Sequence, residues 1–128
     1  MATTVNGAGT GAELSTKVGT DRRARAARAA VVIAELREEL IALPLPGMES
    51  PEVEWRDLAV RQALIAARLG AWWQVLARTT VWGEVPEVFV TAVYTARRAE
   101  RDRAQEAARA ARFWAARAAA AGVGGVSR

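Results

Sequence analysis

Between Ala26 and Leu43 the apolar side chains fall at Ala26, Ala29, Ile33, Leu36, Leu40 and Leu43, alternating steps of three and four that line up one face of a helix. Asp21 stands where an N-cap would accept free amides, and Pro44 and Pro46 cannot continue a helix. The pattern therefore predicts a first helix over about 22–43. Trp55, Leu58, Gln62, Ile65, Leu69, Trp72 and Leu76 repeat the same steps. Ser50 and Pro51 form a start signal ahead of them, and Glu52, Glu54 and Asp57 carry the charge a helix N-terminus favours. A second helix is predicted over 51–79, with Gly70 inside it at a cost of ~1 kcal/mol relative to Ala.

Val81, Trp82 and Gly83 read as a turn, and Pro86 opens a third helix that continues to about Ala121. Its predicted face is Phe89, Ala92, Ala96, Ala99, Ala107, Ala110, Trp114 and Ala118, with Arg103 interrupting. Small residues there would let it approach a helix that bears large ones, and Ile65, Leu69 and Trp72 make the second helix that partner. Residues 1–20, rich in Gly, Thr and Ala, bury too little to offset their ordering entropy and read as a disordered N-terminal arm. Residues 122–128 should fray. Short connectors make consecutive helices antiparallel. The expected fold is all-α: an antiparallel up-down-up three-helix bundle over 21–121, with a long third helix (86–121).

Composition agrees. The chain has 128 residues, enough for one domain, and 30 of them are Ala, the best helix former. It has no Cys and no His, which removes disulfides, thiol nucleophiles, imidazole triads and Cys/His zinc sites. Glu35 and Glu39, one turn apart, lack the Glu-x-x-His companion of ferritin-like di-metal sites. No Gly-rich phosphate loop is present. No catalytic residue, metal or cofactor is expected, and the chain is read as not an enzyme. Residues 1–20 lack the basic start and apolar run of a signal peptide, and nothing approaches the ~20 apolar residues of a spanning helix. The Trp residues fall on several faces rather than on one membrane-facing stripe. A cytoplasmic protein without membrane association is expected.

The net charge is +4 and the pI about 10.9, with Arg supplying 17 of the 18 basic residues. From Val31 to Asp57 there are seven acids and two bases, and from Arg97 to Arg128 eight bases and three acids. The up-down-up order brings these blocks to one end of the bundle, so the arginines are expected to be answered from within by Glu35, Glu39 and Glu52. Arginines lying instead on a bare surface of their own would favour a polynucleotide partner.

At 1.5 Å per residue the third helix spans ~54 Å, against ~44 Å and ~33 Å for the other two, so its last turns should project. They carry Arg109, Arg112, Phe113, Trp114 and Arg117, aromatics beside arginine as at interaction hot spots. The leading expectation is a non-catalytic helical interaction or assembly module. It would be self-associating or adaptor-like, with the end of the third helix as contact surface for a protein partner or a second copy. The alternative is a nucleic-acid-binding protein. Gln62, Ile65, Ala66, Leu69 and Gly70 have a spacing that resembles the first half of a repressor-type helix-turn-helix. That resemblance, extended over 62–80, implies that Trp73, Gln74 and Arg78 face the groove. In the same alternative Arg97, Arg98 and Arg101 would contact phosphates. Trp72 and Trp73 depart from the motif directly after Gly70.

Overall fold

The computed structural model describes the backbone of residues 3–79 and 84–126, and the side chains of residues 17–79 and 84–122. The fold is all-α. Three helices follow in order: α1 (Thr3–Ala42), α2 (Glu52–Thr79) and α3 (Glu87–Val126).

The prolines set the boundaries. Pro44 disfavours a helical conformation at Leu43, and α1 closes with a short bond from the Leu43 amide to the Leu40 carbonyl, 3.4 Å. Pro51 and Pro86 sit just ahead of α2 and α3, where a missing N–H costs nothing. Their carbonyls accept the amides of Glu54 and Phe89, each at 3.0 Å. Two boundaries differ from expectation. α1 begins at Thr3 rather than near Arg22, so Asp21 lies inside the helix and is not its cap. No proline interrupts residues 3–43, and extending a formed helix costs far less than nucleating one. α3 continues to Val126 through an Ala-rich tail. The turn expected at Val81–Gly83 lies outside the described residues.

α2 is the central element, with α1 and α3 each packed on it and not closely on one another. Val18, Asp21, Arg22 and Arg25 of α1 flank Val75, Arg78 and Thr79 of α2, while Leu43 lies beside Leu58, so the pair is antiparallel. Trp55 at the start of α2 meets Trp114 late in α3, which makes the second pair antiparallel as well. The result is up-down-up. Ile33 and Leu36 of α1 pack with Ile65 and Leu69 of α2, surrounded by Leu40, Leu43, Trp72, Trp73 and Leu76. This is the expected seam of both helices, and its burial supplies the stability at roughly 25 cal/mol per Å².

The face of α3 is shifted from the expected one in its first half. Phe89, Ala92 and Ala99 are exposed, whereas Val90, Val93, Arg97, Glu100, Ala104, Ala107, Ala111, Trp114 and Ala118 are buried or half-buried. That set has the seven-residue repeat by which one helix keeps a seam in contact with another.

Candidate interaction surface

The expected overhang of α3 is only partly free. Trp114 stacks on Trp55 with ring centroids 5.7 Å apart and planes 24° from parallel. Phe113 meets the Trp114 ring edge-on at 5.1 Å, and the Arg117 guanidinium lies 5.7 Å from both ring centres. Trp114 and Arg117 are therefore engaged within the molecule. Phe113, 53% exposed, keeps an open face. Arg109 and Arg112 are exposed. The projecting part of α3 begins beyond Trp114, because Trp55 lies one turn into α2 and holds the rings there.

The charge blocks do share one end of the bundle, but the arginines of α3 are not answered by Glu35, Glu39 or Glu52. Among the described residues, the ion pairs are both local: Arg56 with Asp57 at 2.9 Å, and Arg103 with Glu100 at 2.9 Å. The expectation of neutralisation across helices is overturned, since α1 and α3 lean on different faces of α2 and leave a groove between them. Leu40, Gln62, Arg103, Glu106, Ala107 and Ala110 line that groove, which holds about 340 Å³.

Glu100 was not singled out by the sequence reading. It is 3% exposed, and both its carboxylate oxygens accept hydrogen bonds from one Arg103 nitrogen at 2.9 Å. The spacing Val93, Glu100, Ala107, Trp114 was the available signal. A buried carboxylate held by an arginine three residues on, which itself reaches solvent, is a structural pair within one helix.

The helix-turn-helix resemblance does not survive. α2 passes through Gly70 without a break, so no turn separates two helices over 62–79; Thr80 lies outside the described residues. Trp73 packs against the Ile33–Leu69 cluster with its indole Nε1 enclosed and without an acceptor, and Gln74 is half-buried. Arg78 is exposed at the end of α2. A seam that faces a neighbouring helix cannot also enter a groove of DNA.

The remaining arginines divide in two. Arg97 is half-buried on the inner face of α3. Tyr94, Arg98, Arg101, Gln105, Arg109 and Arg112 follow at steps of four, three, four, four and three, all exposed, and form one outward stripe with no acid in it.

Among the described residues, no helix is long and apolar enough to cross a membrane, and no three acidic side chains converge as a metal ligand set. No family model matches the chain, and neither a curated protein nor a solved structure matches it.

Proposed function

We propose that this chain is a non-catalytic helical assembly module that associates with copies of itself. The observation that carries the reading is the balance of surface and core. Among the described residues, Leu69 is the one large side chain that is fully buried. Val60, Leu64, Phe89 and Phe113 remain substantially open to solvent. Large apolar side chains left open beside so thin a core are characteristic of subunits completed by a neighbour.

Size-exclusion chromatography with light scattering, run across a concentration series, tests the reading. A mass that rises above 13.7 kDa with concentration supports it. A monomer throughout the series overturns it.

A second reading rests on the outward arginines of α3. Arg98, Arg101, Arg109 and Arg112 share one exposed face over ~21 Å of helix. A single polyanion strand could lie along it and release counterions. The loss of the expected pairing with α1 strengthens this reading. Mobility shifts of a short DNA duplex at two salt concentrations test it: binding that falls steeply with salt supports it, and no binding at low salt removes it.

A further inference from the structure

α2 has three distinct faces. Trp55, Ala59, Gln62 and Ala66 form the one turned to α3, and Leu58, Ile65, Leu69, Trp72 and Leu76 the one turned to α1. The third is uncovered. Val53, Asp57, Val60, Leu64, Ala67 and Ala71 succeed one another at steps of four, three, four, three and four, and every one is exposed. Val53 is 38%, Val60 42% and Leu64 57% accessible. A surface helix needs one apolar stripe to face its own core. Alternating three-and-four spacing sustained on the opposite side is the pattern of a helix seam.

We infer that this stripe docks antiparallel against the same stripe of a second copy, α2 on α2, about a two-fold axis level with residue 62. The inference rests on the self-association proposed above and names the surface responsible.

Charge complementarity selects the occupant. The acids of α2 are at its start, Glu52, Glu54 and Asp57, and past Arg56 its arginines follow at Arg61, Arg68 and Arg78. An antiparallel copy is therefore complementary to the stripe, while a parallel copy would set like charges against each other. With the axis at residue 62, Val60 meets the second copy's Leu64 and Leu64 its Val60. Val53 then meets an Ala71, a large residue against a small one. Asp57 and Arg68 lie on the same flank, and flanks of one kind face each other in an antiparallel pair. Symmetry therefore forms the Asp57–Arg68 pair twice. Asp57 is held at present only by its neighbour Arg56, across a pair that is largely exposed. A two-fold contact of this type closes on itself.

Sedimentation equilibrium of the full chain tests this on the wild type and on four variants: Val60→Glu/Leu64→Glu, Asp57→Arg, Arg68→Asp, and the exchange Asp57→Arg/Arg68→Asp. All four alter exposed positions, and circular dichroism reports whether helix content is kept. The double Glu variant should raise the dimer dissociation constant about a hundredfold or more by placing carboxylates in the seam. Each single charge reversal should raise it about tenfold, and the exchange should restore it. If the double Glu variant loses helix, the exchange decides alone.

A wild-type dimer indifferent to all four variants overturns this docking while leaving self-association intact. Failure of the exchange to rescue either single reversal overturns the antiparallel arrangement. Dissociation by Phe113→Ala/Trp114→Ala, with Val60→Glu/Leu64→Glu inert, places the contact at the end of α3 and refutes α2. A wild-type monomer removes both this inference and the reading beneath it.

Discussion

The contact between Trp55 and Trp114 decides whether the end of α3 belongs to the molecule or to a partner. The perturbation is a double-mutant cycle: Trp55→Ala, Trp114→Ala, and the two together. Both rings are half-buried, so each covers about 100 Å² of the 150–250 Å² an aromatic side chain can bury. At roughly 25 cal/mol per Å² each single change should cost about 2–3 kcal/mol. The pair is offset-stacked at 5.7 Å, a geometry worth about 0.5–1.5 kcal/mol beyond area, so the double variant should lose less than the two singles combined by that amount. Urea unfolding followed by far-UV circular dichroism measures all four corners. Protein concentration must be matched, because self-association shifts apparent stability. A coupling within about 0.3 kcal/mol of zero means the rings do not touch in solution, and the last turns of α3 are then free to serve as the contact surface the sequence pointed to.

Two further outcomes follow from single positions. Gly70→Ala should raise stability by ~0.5–1 kcal/mol, since α2 is continuous there and an added Cβ meets nothing within 4 Å; a fall in the thermal midpoint would mean that Gly70 occupies a turn. Arg103→Ala should cost about 1–3 kcal/mol by leaving the buried Glu100 carboxylate without its hydrogen bonds. Adding Glu100→Met should recover most of that loss in the same denaturation assay, and a silent Arg103→Ala would place the carboxylate in water.

Much of the fold was legible because local rules and packing agree. Pro44, Pro51 and Pro86 mark ends that no tertiary contact can override, and the Ile33–Leu36 and Ile65–Leu69 seams have a single face to bury. The inner face of α3 was harder to read. With 30 Ala in the chain, alanines at 92, 96 and 99 fit one stripe as well as alanines at 104 and 111 fit another, and the choice falls to Val90 and Val93. The buried Glu100 went unnoticed because a carboxylate among arginines ordinarily sits in water. Gln62–Gly70 resembled half of a DNA-binding motif because any amphipathic helix repeats those intervals. The charge argument failed for a different reason. It located the blocks at the correct end, but ion pairs need side chains within 4 Å, and sequence order does not specify which helices share a groove.

The helices are staggered as well as unequal. α1 runs on past the last turn of α2 at one end, and α3 runs on past its first turn at the other, giving a longest dimension of roughly 80 Å at 1.5 Å per residue. A sphere of the same mass would be less than half as long. Such a rod-like particle meets high hydrodynamic drag, so it leaves a gel-filtration column early and sediments slowly even when single. Elution volume alone would thus overstate how many chains travel together, and only a mass obtained independently of shape can count them.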